Sequence, residues 1–171
     1  MTEPADMSRD LETALAEHRD AVAALVAASE RCGDRWLSPR SAGKWSPSQI
    51  VEHVSRALEE SGCVAAGAPS KFPTLPAFVR PLLRGLFFNR VLRKRAFPKA
   101  RTSRAMNPAA GPETIALGRA RLEGAAAAFE QACRAASSPS LDSSIFGRVS
   151  VPDYALFQAC HTRHHLRQMP S

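Results

Sequence analysis

The chain has 171 residues with a net charge of +7, enough for one full hydrophobic core and no second, so a single domain over residues 1–171 is expected. Ala, Leu, Arg and Glu dominate, there is one Tyr, and no stretch alternates β-branched residues, which argues for an all-α protein. The scattered Cys32, Cys63, Cys133 and Cys160 exclude a secreted cystine framework, and the acidic, polar Met1–Asp6 segment and the lack of any roughly 20-residue apolar run make a cytoplasmic location the expectation.

Leu11, Leu15, His18, Val22 and Leu25 recur at helical spacing and predict a first helix from about Ser8 to Arg31, stopped by Gly33. The second helix has a complete start signal: Ser46 as N-cap, Pro47 at the first position, Gln49 closing a capping box, and Trp45 stapling onto Ile50. It should continue to about Ala66. A third helix is expected from Pro112-Glu113 to about Ala136, where Ser137-Ser138-Pro139-Ser140 breaks it, although Gly118 and Gly124 weaken the pattern. The fourth begins at Ser150-Val151-Pro152-Asp153, with a Ser N-cap and an acid three residues on, and runs nearly to the C-terminus. Four helices of these lengths suit an antiparallel four-helix bundle.

Residues 67–112 form an insert between the second and third helices. No acidic residue occurs between Glu60 and Glu113, whereas Lys71, Arg80, Arg84, Arg90, Arg93, Lys94, Arg95, Lys99, Arg101 and Arg104 are basic, outweighing the whole net charge of +7. Phe78, Val79, Leu82, Leu83, Leu86, Phe87, Val91 and Leu92 have helix-compatible spacing, so a short amphipathic helix between Pro-rich loops is expected.

The chemistry concentrates in histidines. On the second helix Ile50, His53, Val54, Ala57, Leu58 and Ser61 form the core-facing stripe; on the fourth it is Tyr154, Phe157, His161, His165 and Gln168. Three neutral imidazoles in an apolar core each need a partner, and charging them there is expensive. A divalent ion satisfies all three and keeps a position open for water or substrate, as catalytic sites do. Zinc or nickel is the expected ion, with iron, manganese and copper as the other candidates that such ligands accept. His164 and Gln168 are candidates for orienting the ligands by hydrogen bonds. Glu52 points about 100° away from His53 and receives no role, and Cys160 is turned from His161 by the same angle, as a buried structural thiol. His18 is read as packed, and Trp36 as a packing residue.

The segments Gly43-Lys44-Trp45-Ser46-Pro47-Ser48-Gln49-Ile50-Val51-Glu52-His53 and His161-Thr162-Arg163-His164-His165-Leu166-Arg167-Gln168, 108 residues apart from His53 to His161, resemble the DinB/YfiT-like superfamily of metalloenzymes. The resemblance implies a DinB-like four-helix bundle, often dimeric, with a divalent metal on one His of the second helix and two of the last, here His53, His161 and His165. It also implies a small-molecule substrate, with low-molecular-weight thiols prominent in a superfamily that includes thiol S-transferases and a thiol-dependent isomerase. The basic insert matches no motif of that superfamily.

The leading expectation is therefore a metal-dependent transferase, isomerase or hydrolase. The alternative is a non-catalytic protein that binds an anionic membrane or nucleic acid through the basic amphipathic insert. Neither nucleic acid nor membrane is the expected partner, because the insert carries no recognised nucleic-acid motif and its apolar face can serve to cover the helices.

Overall fold

The computed structural model describes residues 10–99 and 102–170; the acidic N-terminal segment, the expected helix start at Ser8 and Arg101 of the basic stretch lie outside them. The protein is mostly helical. Helix α1 (Leu11–Glu30) begins after Asp10, whose side chain accepts from the Thr13 N–H at 3.1 Å, and its chain reverses through Gly33 at φ +51°. Helix α2 (Pro47–Ala65) starts as expected: Ser46 Oγ accepts from the Gln49 N–H at 3.3 Å while Gln49 Oε1 accepts from the Ser46 N–H at 2.9 Å.

In the insert, α3 (Arg80–Leu83) passes through a π-helical turn, Arg84–Phe88, into α4 (Asn89–Lys94). The wider turn adds a residue to the winding, so Leu83, Phe87, Phe88, Val91 and Leu92 all pack against the core while Phe78, Leu82 and Leu86 stay exposed. The single apolar face expected there is thus divided between two directions. Arg95 ends α4 at φ 52°, a conformation that costs a non-glycine residue about 1 kcal/mol, and its guanidinium donates to Glu17 of α1 at 2.6 Å.

Helix α5 (Ile115–Ala135) is capped by Thr114, whose hydroxyl accepts from the Leu117 N–H at 3.2 Å, so it starts slightly later than Pro112-Glu113 suggested. The Ser-rich segment after it is not merely a break. Strands β1 (Ser140–Ser143) and β2 (Gly147–Ser150) form an antiparallel hairpin in the register Leu141↔Val149 and Asp142↔Arg148, a small sheet that the all-α expectation did not include in a fold otherwise mostly helical. Ser143 Oγ accepts from the Ile145 and Phe146 N–H groups across the turn, and Gly147 takes φ +69°. Ser150 then caps α6 (Val151–Leu166) by accepting from the Asp153 N–H at 3.2 Å.

Helix α1 packs chiefly on α6 and α2 on α5, and smaller α1–α5 and α2–α6 contacts join the pairs. The core runs between them through Leu15, Leu25, Leu58, Leu122, Phe129 and Leu156. His18, buried in α1, sets its ring 5.1 Å from Phe129 and its Nδ1 3.5 Å from Glu130 Oε1 of α5, away from the other histidines. Outside the core, Arg134 pairs with Glu12 at 2.9 Å, Arg119 with Glu30 at 2.9 Å, Arg163 with Glu17 at 3.2 Å, and Arg121 with Glu52 and Glu59.

The entry to α2 is fixed by a separate clasp. Pro112 O accepts from both Trp36 Nε1, at 2.9 Å, and Ser48 Oγ, at 2.7 Å, and the Ser48 N–H donates to Trp36 O at 3.1 Å. This brings Gly111 so close that a Cβ there would stand 2.2 Å from Ser48 O, and it lays the Trp36 ring where a Cβ on Gly118 would meet it at 2.6 Å. Gly124 faces open space. In urea unfolding, Gly111→Ala is expected to cost about 1–3 kcal/mol, since backbone must move. Gly124→Ala is expected to add up to about 1 kcal/mol through helix propensity alone. Equal behaviour of the two variants would show that the clasp is loose.

Candidate functional site

Helices α2 and α6 present the three expected histidines to one another. His53 lies two turns into α2, on the stripe that the capping box orients, and His161 and His165 lie one turn apart on α6. His161 Nε2 is 3.2 Å from His53 Nε2 and 3.1 Å from His165 Nε2, and one nitrogen from each of the three rings lies within 4.8 Å of the others. His53 and His165 are buried; His161 is half-buried and borders a cavity.

The outer nitrogens fix the state of the inner ones. His53 Nδ1 is 2.8 Å from Met106 O, and a carbonyl only accepts, so Nδ1 carries the proton and Nε2 a bare lone pair. His165 Nδ1 donates to Gln168 Oε1 at 3.0 Å, which leaves its Nε2 bare as well. Neutral His161 can offer at most one Nε2–H between these two acceptors. At least one close nitrogen–nitrogen contact is therefore lone pair against lone pair.

Protonation does not relieve it. Burial holds His53 below its ordinary pKa, with Arg56 and His164 adding to the effect against the Met106 hydrogen bond. Burial holds His161 well below the usual range too, reinforced by His165 and His53. His165 is pushed down to about 3 by burial first and then by His53.

The surrounding shell comes from the loop before α2, the insert and α6. Gln168 Nε2 lies 3.0 Å from His164 Nε2, and the His164 ring lies against Phe97, so the amide links His165 through His164 to the insert. Trp45 lies with its ring 4.7 Å from that of His53 and 6.0 Å from that of His165, placing the residue expected to staple α2 against the imidazoles. Phe97 packs at 5.2 Å from His161 and 5.6 Å from His164.

Beside the imidazoles opens a cavity of about 660 Å³, walled by Phe72, Phe87, Phe97, Phe146 and Phe157 with Leu83 and Met106. Glu52 takes no part: it pairs with Arg56 at 2.7 Å and Arg121 at 3.2 Å on the side of α5. Cys160 is buried, and Cys133 is a buried thiol pushed up to about 12.

Three features were not drawn from the sequence. Met106 acts through its carbonyl, which no side-chain pattern reveals. Phe97 belongs to a loop without periodicity. Gln158 had a legible signal, standing three residues before His161 on the same face, and it lines the cavity while 4% exposed.

Residues 8–171 match a family described as a protein of unknown function, DUF1569. No curated protein and no solved structure matches the chain.

The depressed histidines make acid sensitivity a test of this packing. In the metal-free fold the rings stay neutral, whereas in the unfolded chain they titrate near pH 6.5, so below about pH 6.5 the unfolded state binds more protons and stability falls as pH drops. For His165, at about 3, the loss is at most about 1.4 kcal/mol per pH unit. Urea unfolding of chelator-treated protein between about pH 6.5 and 5 is expected to show a steeper decline for wild type than for His165→Gln; identical slopes would mean that His165 is charged in the fold.

Proposed function

The chain belongs to the DUF1569 family, whose description assigns no activity, and we propose from its own residues that it is a divalent-metal-dependent enzyme of the DinB/YfiT-like kind, with the ion held by His53, His161 and His165. The observation that carries this reading is the crowding of three Nε2 atoms with too few protons among them. A cation turns every lone pair in that group into a ligand. Imidazole bonds of roughly 2.0–2.1 Å in a tetrahedral site set neighbouring nitrogens about 3.3 Å apart, close to the 3.1 and 3.2 Å separations present. The pairing of α1 with α6 and of α2 with α5 supports reading the scaffold as that superfamily's antiparallel four-helix bundle.

When bound, the ion supplies positive charge that lowers the pKa of a thiol or water in its open position, giving a nucleophile near neutral pH. Zinc or nickel suits the ligand set best, with iron and manganese as alternatives. The protein's part is placement. Met106 O and Gln168 Oε1 hold the His53 and His165 rings in the tautomer that directs Nε2 inward. The aromatic walls keep bulk water from the reacting face. The reaction class is transfer or isomerisation with a low-molecular-weight thiol, or hydrolysis, on a small-molecule substrate.

The insert favours a second, separable reading. Phe78, Leu82 and Leu86 are 84%, 59% and 66% exposed at four-residue spacing, and Arg90, Arg93 and Lys94 beyond them have no ion-pair partner among the described residues. An apolar stripe bordered by unpaired cations suits an anionic lipid surface.

Elemental mass spectrometry of tag-free protein is expected to find about one divalent ion per chain. His53→Ala, His161→Ala and His165→Ala should lose it and His164→Ala should keep it. A wild type that stays metal-free after reconstitution with zinc, nickel, manganese and iron overturns the metal reading. For the insert, co-sedimentation with phosphatidylserine vesicles but not phosphatidylcholine vesicles is expected, and the triple variant Phe78→Ser, Leu82→Ser, Leu86→Ser should abolish it; equal sedimentation with both lipids sinks the membrane reading.

A further inference from the structure

The cavity beside the imidazoles has a charge pattern that the metal reading does not use. Among the described residues that line it there is no Asp or Glu, and its two charged side chains are Lys44, from the loop before α2, and Lys99, from the insert. Both are exposed, and neither has an ion-pair partner among the described residues. A cationic ligand would find no carboxylate to pair with and two like charges at the rim.

The interior imposes a second condition. Phe72, Phe87, Phe97, Phe146 and Phe157 come from the insert, the hairpin turn and α6, and they surround a space of about 660 Å³, well within the range of small-molecule sites. Phe87 and Phe97 meet edge to face at 5.2 Å, and Phe97 and Phe157 are tilted by 59° at 5.2 Å, an aromatic wall suited to a flat apolar body.

A third observation points to a ligand. Gln158 is 4% exposed and lines this cavity, and no hydrogen bond reaches its carboxamide among the described residues. Its side chain lines the same space as His161, three residues along α6, and supplies both a donor and an acceptor there.

We propose that the cavity binds a small organic anion with an apolar body, the body among the phenylalanines, the negative charge at Lys44 and Lys99, and a polar group at Gln158. This deepens the enzymatic reading by naming the substrate class for the same site: an aromatic or comparably bulky apolar carboxylate or related acid. The two lysines come from segments distant in sequence, so the charge preference is a property of the assembled cavity.

The test is titration calorimetry of the full chain with phenylbutyrate and with its uncharged counterpart phenylbutanol, on chelator-treated protein and again after zinc loading. Phenylbutyrate is expected to bind about tenfold more tightly than the alcohol in the chelator-treated protein. In the double variant Lys44→Gln, Lys99→Gln, the alcohol should bind as before and the preference should collapse. Circular dichroism confirms that these exposed substitutions leave the fold intact. Equal binding of acid and alcohol overturns the proposal, as does a preference that survives the double variant. A preference that arises only after zinc loading also overturns it, because the charge is then read by the ion and not by the lysines. The metal reading falls on its own measurement: lysine-dependent discrimination in a protein that never takes up metal leaves this proposal standing, and metal uptake without discrimination removes this proposal alone.

Discussion

Three imidazole nitrogens face one another across the α2–α6 interface with too few protons to satisfy them, and much of the surrounding structure is arranged around that fact. His53 Nδ1 is tied to Met106 O and His165 Nδ1 to Gln168 Oε1, so neither ring can turn its bare nitrogen outward without breaking a buried hydrogen bond. Burial keeps the group neutral, which removes the usual escape of protonation. A core made only for stability would replace such a cluster with aliphatic side chains, since unpaired polar atoms in the interior oppose folding. Their retention here is the physical argument for a function at this place.

The insert and the hairpin complete that place and close over it. Without the insert, His53 loses the carbonyl that sets its tautomer, and the cavity loses Leu83, Phe87 and Phe97 from its wall. The hairpin brings Ile145 and Phe146 to the other side and then leads directly into the Ser150 cap of α6. The π-helical turn matters for the same reason: by adding a residue to the winding it lets both Phe87 and Phe88 reach inward, at the cost of leaving Phe78, Leu82 and Leu86 on the surface. The same segment thus serves the site with one face and offers an apolar, cationic exterior with the other.

Around this centre the scaffold divides its work. The α1–α6 and α2–α5 pairs carry the main packing, while the Trp36–Pro112–Ser48 clasp fixes where α2 begins and hence where His53 points. Surface pairs such as Arg134–Glu12 and Arg119–Glu30 lie in water and contribute little individually. The left-handed Arg95 and its bond to Glu17 join the end of α4 to α1, holding the insert over the helices it covers.

The sequence by itself determined the long helices, the α2 capping box and the shared face of His53 with Ile50 and of His161 with His165, because each depends on contacts within four residues along a helix. It also pointed to His164, in the last turn of α6, and to Gln168, just past its end, which hydrogen-bond beside the ligand candidates. Tertiary structure alone decided the rest. The hairpin strands are four residues long, too short for an alternation to stand out, and they form because their turn is closed by Ser143 and Gly147 against a buried Phe146. Trp45 went to the imidazoles, the apolar face of the insert split at the π-helical turn, and the Met106 carbonyl, Phe97, Lys44 and Lys99 converged on one cavity. None of these is periodic: each is a meeting of backbone or side chains far apart in sequence, settled by how the helices pack.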